Sequence, residues 1–426
     1  MSSFVNKINR LIILVFALAP FVGYLSTTLF NIGWNSLFFA LFFLSVLLII
    51  LSILITNKKV NISGYTIFFF FFLVYTIVSD LYLADKDFTL QYIYLNRLIS
   101  SFFILFIIDN ITFTKRFIIR LPIIFIFVFI CSFLVIVYQE VIDFRFMTIR
   151  DYSLTGPVYD RRLHSIFSAT GANISLGLTV VPYLAILVNL NLVKGKRALS
   201  LFFMIIGGIV VLLSKWRWIM LNYFLLFFIY IRSTASIFKS IILIIMVTTV
   251  ISFAGYYISK GIGLPVDDII SNRIFEHNRE GGLSNMTAGT RIFAFYIFVK
   301  LFPENPWFGK GRSHSFGGDS GDETLLRELQ GRTSQIHVGY LSLLYYYGIF
   351  GGLLYFIFLY KLSFSIFLYS KKAGFLGIFY GFLGFILMNF TEVNFDILQP
   401  GIIMILVFNK YNKQNYITKS NVLSYY

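Results

Sequence analysis

Apolar stretches of about 16 to 23 residues recur along the chain, separated by shorter polar segments. An α-helix needs roughly 20 apolar residues to cross the hydrocarbon of a bilayer. The pattern therefore predicts an all-α, polytopic membrane protein with about twelve transmembrane helices in a single domain over residues 1–426. The predicted spans are 11–30, 36–56, 65–83, 89–109, 117–139, 170–191, 198–214, 217–232, 238–257, 338–361, 374–391 and 396–410.

The polar segments on the two sides of the predicted membrane differ in their basic residues. On one face the segments are short, rich in lysine and nearly free of acids, with Asp109 as the exception. Loops enriched in Lys and Arg stay in the cytoplasm, so this face is predicted to be cytoplasmic. The even number of spans places both termini there, with residues 411–426 as a cytoplasmic tail. The basic residues of this face include Lys7, Arg10, Lys58, Lys59, Lys115, Lys194, Lys196, Lys239, Lys361, Lys371, Lys372, Lys410 and Lys413.

The opposite face has two longer segments, an outer loop at 140–169 and a long outer loop at 258–337. A connection as long as the second is unusual and is typically functional or disordered. Turn signals, the Pro303–Trp307 segment and an amphipathic helix near 290–302 favour ordered structure lying on the membrane.

Composition narrows the class of protein. The chain is 58% hydrophobic, yet its formal net charge is +16. The basic residues are spread over many short loops, so a nucleic-acid partner is not expected. The one cysteine, Cys131, lies in an apolar run, which rules out a disulfide within the chain. The first apolar run lacks a small-residue cleavage site and is predicted to be a retained span.

Arginine is concentrated on the outer face, and its planar guanidinium suits two-pronged binding of phosphate. The pair Arg161-Arg162 leads into a predicted span and either grips a diphosphate or forms a solvated pair beside Asp160. Arg217 follows a very short connection between the predicted spans 198–214 and 217–232, which places it at or below the outer interface of the membrane. A charge at that depth is a candidate functional residue, unless it reaches the interface between two flanking tryptophans. Arg97, inside the fourth span, is a secondary candidate that Asp80 or Asp85 could neutralise.

The long outer loop adds further candidates. Arg291 opens the amphipathic helix, where backbone N–H groups would add to its affinity for anions. Gly309-Lys310-Gly311-Arg312 is predicted to be a turn first and a ligand loop second. His337, at the mouth of a span, is either a general base or an interfacial histidine without chemistry. Glu392 is a weaker acid or base candidate. The other histidines lack ligand spacing, so no metal or cofactor is predicted.

In this order, the motifs resemble the bacterial O-antigen polymerase and O-antigen ligase superfamily. They are an arginine loop entering a helix (160–173), Ser-x-x-Arg (214–217), Gly-Thr-Arg (289–291), Asn-Pro-x-x-Gly-x-Gly (305–311), and His-x-x-Tyr-Leu followed by Gly-x-x-Gly (337–351). The resemblance implies a metal-independent glycosyltransferase of GT-C-like fold in the bacterial inner membrane. Its substrate would be an oligosaccharide linked to undecaprenyl diphosphate, bound on the outer leaflet among membrane lipids.

By the same resemblance, Arg161 or Arg162, Arg217 and Arg291, with Arg312 beside them, would bind the diphosphate. His337 would activate the acceptor hydroxyl. Val338 stands where the ligases usually carry Asn, Ser or Gln, which favours a polymerase, working with a chain-length regulator, over a ligase. A flippase or transporter is the third alternative, although no internal repeat of the kind common in transporters is evident.

Overall fold

The computed structural model describes eight long helical segments and the closing part of the long outer loop. The described residues are 2–18, 34–56, 60–82, 88–143, 146, 294–295, 298–311, 338–374, 376–390, 395 and 400–423, together with twelve separate positions between 208 and 261. Within these ranges the regular structure is helical and no strand is present, which confirms the predicted all-α class.

The helices run in chain order along the described segments. They are α1 Ser2–Ala17, α2 Trp34–Thr56, α3 Gly64–Tyr82, α4 Phe88–Asn110, α5 Lys115–Val141, the 3-10 helix Phe302–Glu304, α6 Gly339–Lys372, α7 Gly377–Met388 and α8 Pro400–Leu423.

Four of the predicted spans, from 36–56 to 117–139, coincide with α2 to α5 to within about two residues at each end. Helix α1 starts nine residues before the predicted span 11–30, so Lys7 and Arg10 lie on the helix itself. Helix α8 continues past residue 410 into the stretch predicted as a tail. The predicted spans between residues 170 and 257 lie largely outside the described residues.

Helix α6 continues past the predicted end of its span at residue 361, to Lys372, and the end of the span itself remains a prediction. Lys361 does not end the helix. Its ammonium lies 5.2 Å from the centre of the Phe68 ring, and its Cδ atom lies beside Gly64.

Two of the described helices, Gly64–Tyr82 and Gly339–Lys372, are each long and apolar enough to cross a membrane. The count of twelve spans remains a prediction. Large apolar side chains point outward along these helices, among them Phe71, Val78, Leu353 and Phe364. Such a continuous apolar exterior is unusual for a protein in water and fits contact with lipid.

Helices α3 and α6 pack side by side in opposite directions. Their contact is aromatic: the Phe69 and Phe358 rings meet edge to face at 4.8 Å, and Phe72 lies 5.1 Å from Tyr355. Gly351 allows the close approach, because a Cβ atom there would lie 2.8 Å from Cε1 of Tyr75. Small residues at such contacts let membrane helices pack closely.

One end of the bundle is held by a buried carboxylate at the plane where α3 begins, α4 ends and α5 begins. Asp109 accepts hydrogen bonds from the backbone N–H and hydroxyl of Ser63, both at 2.8 Å. It also accepts from Thr66 at 2.7 Å and Tyr65 at 3.3 Å. Lys410 of α8 donates to its backbone carbonyl. A buried charge needs such partners, and these join three helices.

The short link after Asp109 is bound by the two terminal helices. Arg10 of α1 donates to the Thr112 carbonyl at 2.8 Å. Gln414 of α8 donates to the Ile111 carbonyl at 3.0 Å and accepts from the Phe113 N–H at 3.2 Å. Helices α1 and α8 therefore contact the same polar link. This link and Asp109, with the residues that bind them, are here called the Asp109 cluster.

Candidate functional site

Most of the residues predicted to carry chemistry lie outside the described part of the chain. They are Arg161, Arg162, Arg217, Arg291, Arg312, His337 and Glu392. The described structure begins again next to two of them, because Gly311 precedes Arg312 and Val338 follows His337. The candidate site is therefore built from the segment that closes the long loop and from the first half of α6.

Helix α6 is broken at Gly348, which has φ 62° and ψ −167°. In an unbroken helix the N–H groups of Ile349 and Phe350 would donate to carbonyls four residues earlier. Here the Ile349 N–H donates to the Pro306 carbonyl at 2.8 Å, and the Phe350 N–H donates to the Trp307 carbonyl at 3.2 Å. The segment from the long loop thus replaces two of the helix's own hydrogen bonds.

The carbonyl groups released by the break are bound by the same segment. The Tyr345 carbonyl accepts from the Lys310 N–H at 3.1 Å, and the Tyr346 carbonyl accepts from the Gly311 N–H at 2.8 Å. The segment is folded on itself, since the Gly309 N–H donates to the Asn305 carbonyl at 3.0 Å. The turn therefore lies at 305–309, just before the predicted one at 309–312, and Arg312 lies outside the described residues.

The two backbone segments that form this contact are equivalent to each other. Trp307-Phe308-Gly309 and Tyr346-Tyr347-Gly348 have the same order of two aromatic residues and a glycine, 39 positions apart. Each of the four hydrogen bonds across the contact has a partner under that shift. The arrangement is a local two-fold pairing of two similar turns, here called the paired turns.

Both central glycines are required by the geometry. Gly309 has φ 77° and Gly348 has φ 62°, in the region that other residues rarely adopt. A Cβ atom on Gly309 would lie 2.3 Å from the Tyr346 carbonyl oxygen, and one on Gly348 would lie 2.3 Å from that of Trp307. The two backbones are too close for any side chain at either position.

Helix α3 supports the paired turns from the side. The Tyr75 hydroxyl donates to the Phe308 carbonyl at 3.1 Å. The Tyr347 hydroxyl donates to Asp80 Oδ2 at 3.5 Å, and its ring meets Phe72 edge to face at 5.8 Å. Asp80, considered above as a partner for Arg97, is thus part of this contact.

The lysine of the Gly-Lys-Gly segment is neutralised locally. Lys310 Nζ lies 2.6 Å from a carboxylate oxygen of Glu304 and 5.8 Å from the centre of the Tyr345 ring. A lysine held by a carboxylate and a ring face is poorly placed to bind phosphate. The pairing argues against a ligand loop at residues 309–311.

Arg97 lies exposed on α4, and its backbone carbonyl accepts from the Ser101 hydroxyl at 2.8 Å. Tyr75 and Tyr347 were not singled out from the sequence, and Asp80 was considered only as a partner for Arg97. The repeated pair of aromatic residues before glycine could have pointed to Tyr347.

The start of α6 meets the end of α7. The Tyr340 hydroxyl donates to the Ile386 carbonyl at 2.9 Å, and its ring meets Phe390 at 4.9 Å. Tyr340 is three residues after His337, and Phe390 is two residues before Glu392. The start of α6 and the end of α7 therefore approach each other, while His337 and Glu392 themselves lie outside the described residues.

The model of a protein family described as O-antigen ligase matches residues 182–356 of the chain. The match supports the O-antigen polymerase and ligase superfamily. It includes both of the paired turns, together with Arg217, Arg291, Arg312 and His337, and it leaves out Arg161, Arg162 and Glu392. Members of this superfamily are membrane-associated enzymes of the glycosyltransferase type. A search among curated proteins found no match.

Proposed function

We propose that the protein polymerises lipid-linked repeat units of a bacterial surface glycan. The growing glycan would move from undecaprenyl diphosphate to the sugar end of another undecaprenyl-diphosphate-linked unit, at the outer leaflet of the inner membrane. The observation that carries this proposal is the family match over residues 182–356, together with an outer segment bound into a membrane helix inside that range.

The transfer needs positive charge and a base. The acceptor hydroxyl oxygen attacks the anomeric carbon of the donor, the bond from that carbon to the phosphate oxygen breaks, and undecaprenyl diphosphate leaves. Arg217, Arg291, Arg312 and the pair Arg161-Arg162 would hold the diphosphate and stabilise its developing charge. Such a leaving group needs no metal when arginines supply this charge. His337 would take the proton of the attacking hydroxyl.

A polymerase is favoured over a ligase by the residue after His337. Val338 is buried and precedes the first turn of α6 without a side-chain cap, so this position offers the substrate no polar group. The ligase remains the second candidate because the matching family model carries that description. In that case the finished glycan would move to lipid A-core.

Reconstitution with purified lipid-linked units tests the proposal. A polymerase should extend units of one repeat into a ladder with no other acceptor present. A ligase should leave those units unchanged and transfer glycan only when lipid A-core is added. A flippase should move labelled substrate across the bilayer without forming a bond. Either of the last two results would overturn the proposal.

The diphosphate site has its own test. Arg217→Ala and Arg291→Ala should abolish polymerisation while the protein accumulates normally, and Arg→Lys should fail as well because lysine cannot bind phosphate in two-pronged fashion. Arg116→Ala, an exposed arginine in the first turn of α5, is the matched control and should retain activity. Full activity of the lysine variants would refute two-pronged binding.

A further inference from the structure

The paired turns carry an exposed aromatic surface. Trp307 is 56% exposed, Phe308 63% and Phe350 45%. Their rings lie together, with Phe350 6.0 Å from Trp307 and 5.3 Å from Phe308. Three neighbouring aromatic side chains facing outward form an apolar surface that needs an apolar partner. We call these three side chains the aromatic patch.

The patch continues the outward-facing apolar surface of α6. Below it along the helix, exposed apolar residues follow at intervals of three or four positions. They are Leu353, Phe356, Tyr360 and Phe364. Residues at this spacing share one face of a helix. The patch therefore extends a surface whose length and composition fit contact with lipid.

The depth of the patch follows from the helices around it. Gly64, the first residue of α3, lies beside Lys361, at the plane of the Asp109 cluster where three helices begin or end. Gly348 is 13 residues before Lys361, which is about 20 Å along the helix axis. The hydrocarbon of a bilayer is about 30 Å thick. With the predicted end of the span at Lys361 taken as one boundary, the paired turns lie on the order of 10 Å inside the other.

The loop segment is suited to this depth because the backbone nearest to α6 is bound by protein. Irregular backbone survives in hydrocarbon only where protein binds its polar groups. The carbonyls of Pro306, Trp307 and Phe308 accept hydrogen bonds from α6 and Tyr75. The N–H groups of Gly309, Lys310 and Gly311 all donate. Proline at 306 has no N–H to satisfy. The one lysine is paired with Glu304, which removes an isolated charge.

We propose that residues 302–311 form a re-entrant turn inside the outer half of the bilayer, with the aromatic patch in contact with the acyl chains of outer-leaflet phospholipids. The lipid contact would hold the end of the long outer loop at membrane depth, where a lipid-linked substrate is bound. The inference requires that the helices span a bilayer, and it holds whichever transfer reaction the protein catalyses.

Depth-dependent fluorescence quenching tests the turn directly. The chain has four tryptophans, and Trp34→Phe, Trp216→Phe and Trp218→Phe together leave Trp307 as the reporter. The full-length variant is placed in phosphatidylcholine vesicles whose acyl chains are brominated, and separately titrated with aqueous iodide. A single sharp thermal transition and a monodisperse profile show that it is folded.

Two reference variants calibrate the signal in a background without native tryptophan. Tyr360→Trp lies on the lipid-facing surface of α6, and Ile62→Trp lies exposed in the segment before α3. We expect brominated lipid to quench Trp307 as strongly as Tyr360→Trp, and iodide to quench it far less than Ile62→Trp. Quenching of Trp307 by iodide at the level of Ile62→Trp would place the turn in water. Quenching by neither agent would show that protein covers the patch. Each of these two results overturns the proposal, and both are independent of glycan transfer.

Discussion

Replacing either central glycine of the paired turns by alanine should release the outer loop from α6. The first cost is local, because an alanine held at the φ of 77° or 62° costs about 1–2 kcal/mol. The second is the clash of a Cβ atom 2.3 Å from a carbonyl oxygen, which the backbone can relieve only by moving the turns apart. Four backbone hydrogen bonds cross the contact, each contributing about 1 kcal/mol. The expected loss of stability is on the order of 5 kcal/mol.

Other glycines of the same chain separate these two costs. Gly374 has φ 75°, but a Cβ atom added there would meet nothing within 4 Å, so Gly374→Ala should lose only the conformational part. Gly261→Ala, with open space and no such φ, should lose neither. Because Gly309→Ala and Gly348→Ala each break the same contact, the double alanine variant should lose little more stability than either single variant.

Thermal unfolding of the purified protein in nanodiscs measures the relative loss of stability in these variants. The melting temperature should fall slightly for Gly374→Ala and much further for Gly309→Ala and Gly348→Ala. Limited proteolysis in the long outer loop should accelerate only for the last two. Equal melting temperatures for Gly309→Ala and Gly374→Ala would show that the backbone contact contributes little. Additive losses in the double variant would show that the two turns act independently.

Three further substitutions test contacts around this framework. Tyr75→Phe removes the hydrogen bond to the turn and should cost about 1–3 kcal/mol, whereas the exposed Tyr360→Phe should have no effect on the melting temperature. Asp109→Asn leaves several buried donors with a weaker acceptor and should destabilise the protein by about 3 kcal/mol, while the exposed Asp143→Asn should leave the melting temperature nearly unchanged. Lys310→Met should lower the melting temperature but leave the KM for lipid-linked donor unchanged, and a large rise in KM would mean that this lysine binds phosphate.

Apolar length predicted α2 to α5 well because a membrane helix must be apolar over the thickness of the hydrocarbon, and nothing non-local changes that requirement. Apolar length does not say where a helix ends, because α6 continues past Lys361, whose flexible charged side chain lies on a ring of a neighbouring helix. Charge ends a helix only when no neighbour can accommodate it.

The break at Gly348 could not be predicted from its own surroundings. A glycine inside an apolar run is compatible with close packing, a kink or a break, and Gly351, three residues later, does allow close packing. What decides the break is a second segment 39 residues earlier that takes over the hydrogen bonds of α6. The Asp109 cluster is similar, since its role depends on Ser63 and on Lys410, far away in the sequence.

The different uses of lysine and arginine on the two faces now have a partial structural basis. At the predicted cytoplasmic face, Lys372 lies 3.6 Å from the Tyr416 ring and Lys410 binds the Asp109 carbonyl, so these lysines join helices. The described lysine of the outer turn, Lys310, is held by Glu304. Under the proposed function, recognition of a diphosphate on the outer face would then depend on arginine. Because the Gly311 N–H donates to the Tyr346 carbonyl, the paired turns fix the position of the residue that precedes Arg312. Loss of the paired turns should therefore reduce glycan transfer even when every arginine is retained.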